Sequence, residues 1–249
     1  MTSLICLTYD DALPIHRELV APDLAARGMR GTFYIPAAGD DLHEGLDGWR
    51  KVAAMGHELG NHSCWHPCRT RAEWDWKPPY RLEDYEGGRI RDELLLANRV
   101  LHLIDGRTER SYGATCSDLR CGPGEGESFI DGIRDLFTVV RSGQSDRPLT
   151  GPFPFVVPSL PGDYRTAGVI IAMAEAMRGK PEACLIVGMH GVGAGTHNNF
   201  IDSDEHRHLI DWITAQRGWL EAVTVLEAVA RRGRTSDVSM KEWQIKPYN

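Results

Sequence analysis

Residues 3–9, Ser3-Leu4-Ile5-Cys6-Leu7-Thr8-Tyr9, form a short apolar run, and Asp10-Asp11 follow it without a break. A run of this length and composition reads as a strand buried in a sheet. Adjacent carboxylates at a strand's C-terminal end repel each other unless positive charge lies beside them. A metal ion would supply that charge. A solvated turn leading into a helix N-cap would also account for the pair.

Outward from this stretch, strand-like and helix-like patterns alternate. Helical spacing runs from Ile15 to Ala26 and ends at Gly28, a suitable C-cap. Further strands are expected at Arg30 to Ile35, Glu58 to Asn61, Ser111 to Cys116, Phe137 to Val140, Cys184 to Met189 and Leu220 to Thr224. Helices are expected at Trp49 to Met55, Arg89 to Ile104, Phe129 to Leu136, Arg165 to Met177, Asp202 to Gln216 and Val225 to Arg232. Such alternation is the signature of βα units and a largely parallel sheet. With no linker in 249 residues, it favours a single α/β domain, one closed or nearly closed barrel over residues 1–233. Residues 234–249 form a polar tail, expected to pack on the body or on a partner subunit.

The net charge of −7 disfavours nucleic acid or an anionic membrane as partner, because phosphate binding needs clustered Lys and Arg. No apolar run is long enough to span a bilayer. The N-terminus has no pattern of a secretory signal, so a cytoplasmic location is expected. Of six cysteines, Cys6 and Cys184 lie in apolar runs and read as buried thiols.

Three groups of residues suggest chemistry. Asp10 and Asp11 are the first. His62-Ser63-Cys64-Trp65-His66 follows the Glu58 to Asn61 strand, and two imidazoles four residues apart can meet one ion if the segment turns. Cys64 and Cys68 interleave with them, so a thiolate zinc site is an alternative. However, one carboxylate with two imidazoles leaves coordination positions open, as catalysis requires. The third is His190, at the end of the Cys184 to Met189 strand, followed by Gly191, Gly193 and Gly195. It is placed for proton transfer, or is a satisfied strand-end histidine. All three fall at the C-terminal ends of expected parallel strands, where barrels gather catalytic groups.

These residues resemble a known family. Leu7-Thr8-Tyr9-Asp10-Asp11, Gly31-Thr32-Phe33-Tyr34 and His57-Glu58-Leu59-Gly60-Asn61-His62-Ser63-Cys64-Trp65-His66 are similar in order and spacing to the opening of the NodB-homology polysaccharide deacetylases. Met189-His190-Gly191 resembles the family's late histidine motif, and Val223 to Ala228 its last strand and helix. The resemblance implies a distorted (β/α)7-type barrel. It implies Asp10 as general base, His190 as general acid, and Asp11, His62 and His66 as ligands of one divalent metal. Zinc comes first; cobalt, nickel and manganese also suit such mixed donors.

The chain also departs from the family. The Arg-x-Pro-Tyr motif is missing, and the matching strand reads Ser111-Tyr112-Gly113-Ala114-Thr115-Cys116. Arg120 is the nearest candidate partner for Asp10, and Cys116 is placed among the substrate-facing residues. Where the family has Leu two residues before the late His, this chain has Gly188, which implies a wider or differently built acyl pocket.

The stretch from Pro67 to Gly88 is long and polar, yet carries Trp74, Trp76, Tyr80 and Tyr85. Trp74, Trp76 and Tyr80 are candidate substrate-binding residues, because aromatic faces pack well on sugar rings. They could instead staple the loop to the body. The expected activity is metal-dependent deacetylation of an N-acylated amino sugar or a related soluble carbohydrate or oligosaccharide. An O-acetyl esterase or a small-amide amidohydrolase would use the same site. A carbohydrate-binding protein without activity is the alternative of another class. A homo-oligomer fits the tail.

Overall fold

Seven parallel strands close on themselves in the computed structural model, which describes residues 2–235. They are β1 (Ser3–Asp10), β2 (Thr32–Ile35), β3 (Glu58–Asn61), β4 (Ser111–Gly113), β5 (Val139–Gln144), β6 (Val156–Pro161) and β7 (Ala183–Met189). Each pairs with the next, and β7 pairs back with β1 from Leu4↔Cys184 to Tyr9↔Met189. The result is a single α/β domain, the closed barrel that the alternation favours, in the distorted (β/α)7 form that the resemblance implies. A short strand β8 (Leu220–Ala222) adds to the lower part of β1.

Alternate side chains of β1 serve two cores. Leu4 and Cys6 join Val139, Val157 and Ile186 inside the barrel. Ile5, Leu7 and Tyr9 face outward onto helical residues such as Val20, Leu24, Ile170 and Leu209. The final helix, Val225–Arg232, closes one end of the barrel with Val225, Ala228 and Val229. Its start is held by a Thr224/Glu227 capping box and by buried Glu58, which accepts from the Leu226 N–H. That end is therefore sealed, and the opposite rim, where the strands end, is left for the site.

Three local differences from the sequence expectations have physical causes. The first helical segment opens as a π-turn, His16–Val20, before the helix Ala21–Ala26. Pro22 has no N–H to offer the Glu18 carbonyl, so the turn widens. The helix expected at Phe129 to Leu136 is only a 3-10 turn, Asp131–Ile133, with Gly132 at its centre. Strand β6 was not expected, because Pro158 and Pro161 interrupt the pattern that marks a strand. Residues 236–249 of the expected tail lie outside the described residues; the chain reaches them through Thr235, whose N–H donates to Phe153 O.

Candidate metal centre and active site

Asp11 leaves the end of β1 in a left-handed conformation, φ 76°, and Ala12 follows at φ 54°. Non-glycine residues adopt this conformation rarely, and such strain clusters at functional sites. Across the rim, His62 Nε2 stands 3.4 Å and His66 Nε2 3.2 Å from Asp11 Oδ1. The three ligand atoms lie within 4.8 Å of one another.

The donor set fits a divalent metal. His62 Nδ1 donates to Gly113 O at 2.7 Å, which fixes the tautomer and leaves the Nε2 lone pair facing Asp11. Asp11 Oδ1 is buried without a well-formed hydrogen bond. Burial alone would raise the Asp11 carboxyl, but the His66 charge and the contacts with His62 and His66 hold it well below the usual carboxylate range. The carboxylate is thus ionised and two imidazole nitrogens converge on it.

Asp10 points to a different partner from the one expected. Its Oδ2 accepts from Arg141 Nη2 at 2.6 Å, and both side chains are buried. Arg120 instead donates to the carbonyls of Glu125 and Gly126 on the surface, so the expected pairing with Asp10 is corrected. Burial pushes the Asp10 carboxyl up; Arg141, then His62 and His190, outweigh it and hold it below its ordinary value. Its second oxygen, Oδ1, is buried and has no hydrogen-bond partner among the described residues.

His190 follows β7 and is oriented from behind. Asp163 Oδ2 accepts from its Nδ1 at 2.7 Å, and Asp163 Oδ1 accepts from its backbone N–H at 2.9 Å. His190 Nε2 then faces Asp11 Oδ2 at 3.9 Å. Burial opposes its protonation, but the Asp163 hydrogen bond and the Asp10 and Asp11 charges carry its pKa up to about 9. His197 completes the rim. Its ring stacks on that of His190 with centroids 5.1 Å apart, and its Nε2 lies 3.6 Å from Asp11 Oδ2.

The rim loops carry the remaining candidates. Cys116, at φ 52°, is joined to Cys68 in a disulfide beside His66, so it cannot meet substrate as a free thiol. This also removes Cys68 as a thiolate ligand in the cross-linked form. Cys6, Cys64, Cys121 and Cys184 are free and buried, as expected for Cys6 and Cys184. Trp76 and Tyr80 are 46% and 38% exposed, and Trp65, inside the histidine segment, is 41% exposed. They form two stacked pairs, Trp65 with Tyr80 and Trp74 with Trp76. Tyr85, by contrast, is buried and takes no part in a rim surface.

The fold has counterparts among known proteins. Residues 2–117 match the family model for polysaccharide deacetylase. The matched residues run from β1 through the turn after β4, a little under half of the chain. No curated protein sequence matches it. Similar solved structures include the family 4 esterase domain of a multidomain xylanase from the hindgut metagenome of Trinervitermes trinervoides, at 15% identity and TM-score 0.59, covering 96% of both chains. A family 4 acetyl xylan esterase from Clostridium thermocellum, solved with a cobalt ion, is 19% identical with TM-score 0.55, again over 96% of both. A family 4 pseudoenzyme from Bacillus anthracis is 15% identical with TM-score 0.59, over 92% of this chain and 66% of its own.

The arginine missing from the position that the resemblance implies has a counterpart elsewhere on the rim. Strand β4 supplies no arginine, and a Cβ at Gly113 would lie 2.7 Å from the ring of Tyr34. The guanidinium comes instead from β5, one strand further round the barrel, where a register shift follows Arg141. The same arginine explains Gly188. A Cβ there would meet Arg141 Nη1 at 3.0 Å and Ser159 Oγ at 3.1 Å. Of the two expectations for Gly188, a wider pocket or a differently built one, the contact with Arg141 favours the second.

Proposed function

We propose that this chain works as a polysaccharide deacetylase does, as a metal-dependent hydrolase that removes an acyl group from the nitrogen of an amino sugar or a related carbohydrate. One observation carries the reading: the Asp11, His62, His66 set lies between an ionised carboxylate, Asp10, and an oriented imidazole, His190. Simple binding of a sugar needs neither of these flanking groups.

When bound by Asp11, His62 and His66, a divalent metal supplies Lewis-acid chemistry, polarising the acyl carbonyl and acidifying water. Zinc is favoured, and cobalt, nickel or manganese suit the same donors. Asp10, held ionised by Arg141, accepts the proton of the attacking water at Oδ1. His190, held by Asp163, donates from Nε2 to the leaving nitrogen. Its raised pKa keeps that proton available at neutral pH. Trp65, between the two histidines, with Trp76 and Tyr80 on the segment that follows them, forms one wall of the sugar site.

The test is a screen of the metal-loaded protein and its His190→Ala variant against N-acetylated amino sugars, acetylated xylosides, small amides and an aryl acetate. Activity on an amino sugar that His190→Ala loses, with the aryl acetate largely spared, supports the reading. An amine leaves poorly without a proton, whereas a phenolate needs none. Turnover of acetylated xylosides alone would replace it with an O-acetyl esterase. Sugar binding without turnover would replace it with a carbohydrate-binding protein.

A further inference from the structure

The turn between His62 and His66 contains no helical ladder. Ser63 and His66 are both left-handed, at φ 62° and 52°, so its backbone N–H groups need acceptors from elsewhere. Side chains provide them all. Ser63 N donates to Asn61 Oδ1 at 2.7 Å, and His66 N to Ser63 Oγ at 3.0 Å. The two central groups, Cys64 N and Trp65 N, both donate to one oxygen, Glu93 Oε1, each at 3.1 Å.

Glu93 is 4% exposed and sits on the helix Gly87–Asp105, far along the chain from either histidine. The same helix holds the turn at two further points. Cys64 Sγ donates to Glu93 O, and Asn61 Nδ2 donates to Leu94 O at 2.9 Å and to Asn98 Oδ1 at 2.7 Å. A buried carboxylate is costly unless hydrogen-bonded, and peptide N–H groups aimed at an ionised oxygen make strong bonds. An apolar side chain in place of Glu93 would leave both N–H groups without this acceptor.

We propose that Glu93 is a positioning residue of the candidate metal centre: its carboxylate fixes the turn so that Nε2 of His62 and of His66 both face Asp11. This rests on the reading of Asp11, His62 and His66 as a metal site. Glu93 touches neither metal nor substrate in this assignment. It acts through the backbone of Cys64 and Trp65, between the two ligands.

The experiment measures zinc affinity of the full chain by chelator competition, with melting of the metal-free protein as the second readout. Glu93→Ala is expected to weaken zinc binding about 10–100-fold, the usual scale for a group that orients ligands. Glu93→Gln keeps an acceptor oxygen at full reach and is expected within about 3-fold of the parent, by the same orienting logic. Glu93→Asp keeps the charge but shortens the reach, and is expected to resemble Ala. Leu101→Ala, a fully buried residue of the same helix, controls for stability: it lowers melting and leaves affinity unchanged. Parent-like affinity in Glu93→Ala overturns the role of Glu93. So does a loss in Leu101→Ala equal to that in Glu93→Ala. If Glu93→Ala does not fold, the Gln and Asp variants decide: equal affinity in the two overturns the proposal. A parent protein that takes up no stoichiometric zinc sinks the metal centre itself, a separate failure seen before any variant is compared.

Discussion

Arg141 Nη2 and Asp10 Oδ2 are 2.6 Å apart although 131 residues separate them in the chain. The pair joins β1 to β5 across the barrel and keeps the candidate base ionised in a buried place. Without the guanidinium, burial loses its main opponent, leaving only His62 and His190 against it, and the Asp10 carboxyl rises. Arg141→Ala is therefore expected to lower turnover about 100-fold and to move the acid limb of the kcat/KM profile to higher pH. Arg141→Lys should restore part of both. An unmoved acid limb would remove Arg141 from the base's environment.

Asp10 and Asp11 are neighbours with separate tasks. Asp11→Ala is expected to lose stoichiometric metal. Asp10→Asn should keep the metal and lose about 100-fold or more in turnover, the scale of a missing general base. Elemental analysis beside kinetics separates the two. Equal metal loss in both variants would mean that the assigned tasks are wrong.

Acid should destabilise the fold through two histidines buried in the neutral form. Burial lowers both His16 and His206 to about 4 from an ordinary 6.5. The folded values are depressed, so the unfolded chain binds more protons between these limits. Their contribution is fully present above pH 6.5 and is lost as pH falls through about 4, on the order of 3 kcal/mol each. Denaturant unfolding at pH 7.5 and pH 5 checks this. His206→Gln, whose amide can still hydrogen-bond the Tyr9 hydroxyl, should flatten the dependence. A stability unchanged between the two pH values would contradict the buried neutral state.

Gly188→Leu tests the rearrangement of the acyl side. The new side chain would start 3.0 Å from Arg141 Nη1 and would push it from Asp10. Turnover is expected to fall about 10–100-fold with metal content intact, because one base-orienting contact is lost. Wild-type turnover in this variant would show that the space beside Arg141 yields freely.

The parts of the site legible in the sequence are those contiguous with a strand end. Asp10-Asp11 touch β1, His62 and His66 follow β3 within a few residues, and His190 ends β7. Arg141, Asp163 and His197 are equally close to the chemistry but were missed, since their partners lie on other strands. A signal existed for two of them. Arg141 directly follows the expected Phe137 to Val140 strand, and Asp163 lies just past the end of β6 after Pro161-Gly162. The second was hidden because prolines concealed β6. The disulfide of Cys68 and Cys116 was likewise out of reach, for 48 residues separate the two and only the closed rim brings them together. It bears on the cytoplasmic expectation as well, since such bonds persist mainly in oxidising compartments. Among the described residues no helix is long and apolar enough to cross a membrane.

The last prediction concerns the aromatic segment after His66. The two readings of Trp74, Trp76 and Tyr80, substrate wall or staple, now divide between particular residues. Trp74 is half-buried, with the Arg71 guanidinium 5.0 Å from its ring, and Arg71 in turn donates to Cys116 O and Asp118. That chain of contacts ties the loop to the disulfide-bearing turn, which is a staple's task. Trp65, Trp76 and Tyr80 keep faces open to solvent, and Trp65 is next to the ligand His66 in the chain. Trp65→Ala and Trp76→Ala are thus expected to raise KM about 10-fold on a carbohydrate substrate with near-native melting, as loss of ground-state contact does. Trp74→Ala should instead lower the melting temperature, with activity following stability. An aryl acetate, which lacks a sugar ring, serves as the internal control and should show an unchanged KM in the first two variants. A KM raised equally on both substrates would assign Trp65 and Trp76 to the shape of the site rather than to a sugar face.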